Sequence, residues 1–389
     1  MLHVLHLASF SGNIGDNVNH MGFRPWFASQ CGADIDWFEL EIREFYWGER
    51  QWDERFVNFA NQFDLIVIGG GNYFELWVED SPTGTSIAIP PGLFERISKP
   101  ILFNALGVDP GQGTTPETVD RFRTFLQKLT RSNQYLVSVR NDGAMQNLIE
   151  HVGEDTAKRV HRVPDAGFFV GRVNSEEQKS GTGYSHPTIA INIACDMPEI
   201  RFEAFGGKSG AAHFVSQFAE FVSRVADQHR EHDLVFIPHV HHDLQIISET
   251  ISRLDDRLRR TRTRVAPYGT GIKAASQSLQ VYCSSDLVLA MRFHANICGI
   301  TQERQTLGLC NYPQIQNLYT ELGQADRIVN VGSSGFIEKA ANKVAQALNC
   351  PDRFRENSAS ALKLVEQQRK RFEPKLKAWL QEHHKLVPS

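Results

Sequence analysis

Cysteine is scarce and shows no paired spacing. The six cysteines of the 389-residue chain (Cys31, Cys195, Cys283, Cys298, Cys310 and Cys350) are scattered, with no C-x-x-C pair. In a chain of this size that points to reduced thiols in a cytoplasmic protein rather than to a disulfide framework. A charge excess is also missing: 41 Lys and Arg face 45 Asp and Glu, a net charge of -4. That balance argues against a dedicated nucleic-acid binder. No apolar stretch approaches the ~20 residues needed to cross a bilayer. The start, Met1-Leu2-His3-Val4-Leu5-His6-Leu7, lacks a basic n-region and reads as a first strand rather than a signal peptide. There is neither a G-x-G-x-x-G dinucleotide fingerprint nor a glycine loop followed by Lys-Ser or Lys-Thr, so neither of the common nucleotide loops is present.

What is present is a regular alternation. Short β-rich apolar runs at residues 3–8, 65–68, 101–105, 135–139 and 160–164 are separated by segments of helical spacing such as 119–129 and 144–151. Residues 171–186 are polar, contain glycine and serine, and read as a linker. The alternation then restarts, with strands at 188–194, 234–238, 287–290 and 306–309 and helices near 211–226, 244–254 and 335–348. Strands flanked by 10–15-residue helices predict an α/β fold with parallel sheets covered on both faces. The expected organisation is a Rossmann-like domain over 1–170, a second over 187–350, and a helical tail over 351–389. The tail carries Leu362, Val365, Phe372, Leu376, Trp379 and Leu380 on one face and Lys363, Arg369, Lys370, Arg371, Lys375 and Lys377 on the other, with Pro374 between. Such a helix either packs on the body or lies weakly on an anionic membrane surface.

Several strand ends carry chemistry. Arg292-Phe293-His294 follows the apolar run 287–290, which sets a planar donor fork for carboxylate or phosphate beside a side chain suited to proton transfer. A salt bridge and a satisfied histidine are the competing reading. The first strand runs into Ser11-Gly12-Asn13-Ile14-Gly15-Asp16-Asn17, a turn that either meets a ligand through Asn13 and Asp16 or simply caps a helix. The strand at 65–68 ends in Gly69-Gly70-Gly71-Asn72, where three glycines favour a ligand-facing backbone over a bend. Ser138 and Arg140 end the strand at 135–139, and Val163-Pro164-Asp165 ends the next; Arg140 is a second anion contact or a helix-start ion pair. His239-Val240-His241-His242-Asp243 matches the start of an H-x-H-x-D-H metallohydrolase run, but Leu244 stands where the last histidine would be. Polar caps are therefore preferred there to a metal, and no metal is expected.

Together, GNIGDN near the start, a strand ending in GGGN, SVR, a mid-chain PD and a late R-F-H resemble the polysaccharide pyruvyl transferase family, in the correct order over roughly residues 1–350. The resemblance implies a GT-B-like fold, two Rossmann-like domains facing a cleft, and transfer of the pyruvyl group of phosphoenolpyruvate onto sugar hydroxyls. It puts Arg292 and His294 on phosphoenolpyruvate with Phe293 between them, and it suggests Arg140 as a further contact. Arg292, His294, Arg140 and Gly69, Gly70 and Gly71 are then expected to line one cleft. Phosphoenolpyruvate is the implied donor and a sugar or glycan, lipid-linked or free, the acceptor; no other cofactor is implied. The acceptor would be presented by the N-terminal side through Asn13, Asn72, Ser138 and the glycine loop, with Asp16 as base. The chain departs from the family pattern at Asn141 and Ala144, where Asp and Ser are usual. It departs again at Tyr312-Pro313-Gln314, where a lysine is expected, and at Gly107-Val108-Asp109-Pro110-Gly111 in place of G-x-G-P. A nucleotide-sugar glycosyltransferase of the same fold and a non-catalytic glycan-binding relic are the alternatives.

Overall fold

The computed structural model describes residues 1–173 and 186–383, with the side chains of residues 352–355 excepted. The chain divides into two units: Met1–Ser11, Asn19–Ala166 and Val365–Ser389 form unit 1, and Gly12–Val18 with Gly167–Leu364 forms unit 2. Most of the predicted linker, residues 174–185, lies outside the described residues. At its near end, both polar atoms of the Gln302 side chain bond to the backbone of Gly171 and Val173.

Unit 1 holds strands β1 (Leu2–Ala8), β2 (Ile35–Glu41), β3 (Leu65–Gly69), β4 (Phe74–Glu75), β5 (Ile101–Leu106), β6 (Val108–Asp109), β7 (Tyr135–Val139) and β8 (His161–Arg162). Six of them make one sheet in the order β2-β1-β3-β5-β7-β8, and β4 pairs with β6 separately; every pairing is parallel. Unit 2 holds β9 (Thr188–Asn192), β10 (Asp233–Phe236), β11 (Thr263–Val265), β12 (Leu287–Ala290), β13 (Gln305–Cys310) and β14 (Ile328–Asn330). Its sheet runs β11-β10-β9-β12-β13-β14, again all parallel. The strand order reverses between β1 and β3 in unit 1 and between β9 and β12 in unit 2. In open α/β sheets ligands collect at the carboxyl ends of the strands flanking that reversal.

The central strands form because they are apolar throughout: β3 and β12 are buried at every residue, as strands covered on both faces must be. Five strands were not foreseen, among them the two-residue pair β4 and β6. β2, at the sheet edge, is exposed or half-buried at every residue but Leu40, while β11 and β14 are three-residue edge strands. The predicted strand at 160–164 shrinks to His161–Arg162, because Pro164 cannot donate to a ladder. The tail is one helix, Pro351–Glu382, with Pro374 inside it. Val365, Phe372, Leu376, Trp379 and Leu380 are all buried. Trp379 Nε1 donates to the Asn133 carbonyl at 2.7 Å, and Trp26 Nε1 donates to Glu373 at 2.9 Å. The apolar face is thus used up inside unit 1, which corrects the expectation of membrane-surface association. No helix among the described residues is long and apolar enough to cross a membrane.

Candidate active site

The carboxyl end of β12 is the centre of unit 2. Arg292 is the N-cap of the helix Phe293–Thr301, and its backbone N–H donates to the Asn192 side chain at 2.9 Å. Its guanidinium is committed. Nε lies 2.9 Å from Asp243 Oδ2, and Nη2 lies 2.5 Å from Asp243 Oδ1 and 2.7 Å from Asp196 Oδ1. Asp243 is fully buried; its Oδ2 also accepts the N–H groups of His239 and Val240 at 2.8 and 3.2 Å. The 239–243 run therefore wraps a carboxylate that holds an arginine. Burial opposes the charge on Arg292, but Asp243 and Asp196 outweigh it and hold the guanidinium protonated above its usual range.

Asp196 is shared. Besides Arg292 it meets Nη2 of Arg201 at 3.5 Å, and Arg201 is itself buried, donates to Asn311 Oδ1 at 2.9 Å and lies over the Tyr312 ring. Burial alone would raise the Asp196 carboxyl, yet the two arginines hold it down at about 2. The Asp196 side chain is 34% exposed, whereas that of Asp243 is 0% exposed. The buried Arg201 and the largely buried Arg292 thus converge on one accessible carboxylate at the strand-order reversal.

His294 follows at the start of the same helix, buried, with Nδ1 3.9 Å from Asp16 Oδ1. The turn carrying Asp16 belongs to unit 2. Asn13 bridges to Val240, Ile14 N–H donates to the His239 carbonyl at 3.0 Å, and Tyr268 donates to the Gly12 carbonyl at 3.3 Å. This corrects the expectation that GNIGDN presents the acceptor from the N-terminal side: backbone bonds to residues 239–240 fasten it beside His294. Asn13 Oδ1 accepts the Gly15 N–H at 2.9 Å, so it closes the turn. A Cβ at Gly15 would stand 2.4 Å from the Cβ of His294, so only glycine lets the two segments approach.

Nearby, His239 is fully buried with Nε2 2.7 Å from the Tyr282 hydroxyl. Burial, then Arg292 and His294, lowers its pKa well below the usual value and keeps it neutral. Among the described residues, the 239–243 run supplies no metal-ligand group.

In unit 1 the GGGN loop also sits at the strand-order reversal, but its glycines meet the protein itself. A Cβ at Gly69 would stand 2.5 Å from the Asn104 carbonyl, at Gly70 2.8 Å from Asn19 Oδ1, and at Gly71 2.4 Å from the Tyr73 ring. Gly70 has φ +86, a conformation that favours glycine. Asn72 donates to Asp109 at 2.9 Å. Ser138 is fully buried; its hydroxyl donates to the Phe103 carbonyl at 3.1 Å and accepts the Ala105 N–H at 2.9 Å, which holds the irregular end of β5. Ser138 therefore supports the sheet rather than a ligand. Arg140 Nε lies 2.6 Å from Asp142 and Nη1 lies 3.7 Å from Asp165, both carboxylates buried. Asn141 Oδ1 accepts the Asp165 N–H at 2.9 Å. Sequence reading missed Glu75, which lies in register with Asp109. Burial raises its pKa to about 7, Ser86 counteracts by donating to it, and Asp109 adds to the rise.

Residues 6–311 match the family model for polysaccharide pyruvyl transferase. The chain belongs to that family. It is therefore a transferase of the polysaccharide pyruvyl transferase family, and the late R-F-H of the family resemblance is the junction that carries Arg292 and His294. Among curated proteins no sequence matches it. Solved structures share its fold over nearly their whole length. HepE from Anabaena in complex with UDP and glucose is 10% identical, with 98% of this chain and 99% of that one covered and a TM-score of 0.55. The UDP-GlcNAc 2-epimerase of Neisseria meningitidis bound to UDP-GlcNAc is 10% identical, with 97% and 100% covered and a TM-score of 0.57. The S. aureus MnaA–UDP structure is 12% identical, with 100% and 99% covered and a TM-score of 0.54. At such identity they establish the fold alone, which is GT-B glycosyltransferase-like.

Proposed function

We propose that this family member transfers the pyruvyl group of phosphoenolpyruvate onto hydroxyls of a sugar in a polysaccharide or glycan precursor. The observation that carries the reading is the convergence of Arg292 and Arg201 on the accessible Asp196 carboxylate, beside His294. Asp196 stands in for the donor's carboxylate or phosphate, and donor binding exchanges it for the substrate anion while Asp243 keeps Arg292 in place. Arg–anion pairing of this kind is charge-assisted and directional. In the reaction the donor's methylene carbon gains a proton, and an acceptor hydroxyl attacks the carbon that bears phosphate. The carbon–oxygen bond to phosphate then breaks, and a second hydroxyl closes the ketal. One hydroxyl proton offsets the proton added to carbon, and the other leaves with phosphate. His294 is the acid–base group, worth about 10²–10⁴-fold. Asp16, 3.9 Å from its Nδ1, positions the ring rather than activating the acceptor.

The test is incubation with phosphoenolpyruvate and a panel of glycosides, following phosphate release and pyruvyl mass gain on the acceptor. Both together support the transfer. Consumption of a uridine diphosphate sugar with indifference to phosphoenolpyruvate would instead assign glycosyl transfer, the chemistry suggested by the UDP in the neighbouring structures. Donor binding without turnover on any acceptor would mark a binding relic.

A further inference from the structure

At the opposite edge of the unit 2 sheet, the turn between the helix Ala211–Gln228 and β10 reads His229-Arg230-Glu231-His232. Both histidines are 8% exposed, and Glu231 is exposed beside them. One ring nitrogen from each histidine and one Glu231 carboxylate oxygen lie within 4.8 Å of one another. The rings stand nearly perpendicular, with centroids 6.0 Å apart. His232 Nδ1 is 3.0 Å from Glu231 Oε1. His229 Nε2 is buried and meets no hydrogen-bond partner among the described residues, an arrangement that costs free energy unless something else satisfies it.

The turn is held rigidly from behind. Arg262 donates to the carbonyls of Ala226 at 3.0 Å, His229 at 2.7 Å and His232 at 2.6 Å. Its guanidinium is thereby spent on backbone oxygens while the two rings and the carboxylate share a position. We propose that His229, Glu231 and His232 form a structural binding site for one divalent transition-metal ion of the zinc type, with water as fourth ligand. Two imidazoles and a carboxylate suit zinc and not magnesium, which prefers oxygen ligands. Small side-chain rotations close the present spacing to the ~3.3 Å between ligand atoms around tetrahedral zinc. The site precedes β10, whereas Arg292 follows β12 of the same parallel sheet, so the metal braces the fold and does not reach the reaction.

The test uses the full chain stripped of metal. Zinc is titrated against a chromophoric chelator, and thermal unfolding is followed with and without the ion. The expected result is one zinc per chain, and at about 100 times the dissociation constant a rise in Tm of roughly 3 °C; magnesium gives neither. His229→Ala/His232→Ala should abolish the stoichiometric zinc while retaining the wild-type circular dichroism. Should that variant not fold, Glu231→Gln, at an exposed position, should weaken zinc binding at least tenfold in a folded protein. His241→Ala/His242→Ala should leave binding unchanged. Absence of a stoichiometric zinc, wild-type affinity in Glu231→Gln, or loss of zinc in the His241/His242 variant would each overturn the proposal, whatever the outcome with phosphoenolpyruvate.

Discussion

Each unit places an arginine just beyond a buried strand of its sheet, and each arginine is held by two carboxylates. Arg140 beyond β7 meets Asp142 and Asp165, whose side chains are 4% and 0% exposed. Arg292 beyond β12 meets the buried Asp243 and the 34% exposed Asp196. The local sequences, Ser138-Val139-Arg140 and Ala290-Met291-Arg292, are of one kind, yet the first arginine is enclosed by its partners and the second has one partner within reach of solvent. On the proposed reading, the arginine that meets the donor is the one with a counter-ion within reach of solvent.

The sharpest break of that comparison is Arg140→Ala. It strands Asp142 and Asp165 in the interior, and thermal or denaturant unfolding should show a loss of about 3–5 kcal/mol. Little loss would mean that the enclosed pair is not structural. On the unit 2 side, His294→Gln should retain the fold and lose turnover by ~10²-fold or more, with donor affinity much less changed in a titration calorimeter. Arg292→Lys retains charge but not the fork, and should weaken donor binding by about 1.5–3 kcal/mol; an affinity equal to wild type would remove Arg292 from the site.

A smaller effect tests Glu75. Its folded pKa of about 7 lies above its ordinary 4.5. Ionisation therefore costs stability progressively from about pH 4.5 and fully above pH 7, with no cost below that window. Glu75→Gln should accordingly gain on the wild type by about 2–2.5 kcal/mol between pH 5 and pH 8, read from denaturation midpoints at both. Smallest of all, Asp196→Asn frees Arg292 and Arg201 from an ionic competitor. It should tighten phosphoenolpyruvate binding by up to about tenfold, roughly 1.4 kcal/mol; weaker binding would show that Asp196 helps to hold the donor rather than standing in for it.

Much of the framework was legible because buried parallel strands are apolar at nearly every position: β7 and β12 fall at the predicted residues, and β3 within one residue of them. The R-F-H junction was legible for the same reason. Edge strand β2 was not, since acidic residues interrupt its apolar ones (Asp36-Trp37-Phe38-Glu39-Leu40-Glu41) on a partly exposed ribbon. The partners of Arg292 carried no signal either: Asp196 stands 96 residues away and Asp243 49, joined only by tertiary packing. Arg201, sharing Asp196, was invisible for that reason. The three glycines at 69–71 were read as facing a ligand, but sequence cannot distinguish that from close approach to Asn19, Tyr73 and Asn104. The grouping of residues 12–18 with unit 2 depends on backbone bonds to a segment more than 200 residues on.

The tail helix has a consequence for how the molecule is made. Unit 1 contains the first residues of the chain and also Val365 onward, and Phe372, Leu376, Trp379 and Leu380 are part of its interior. On the ribosome, unit 2 has nearly all of its sequence available before unit 1 receives its last piece, the reverse of the usual N-terminal-first order. Until that helix arrives, Trp26 lacks the Glu373 acceptor that its indole uses in the finished fold and the Phe372 ring it packs against. A nascent or truncated chain ending before residue 365 would carry a finished second half and an open first half, the form most exposed to chaperones and to proteases.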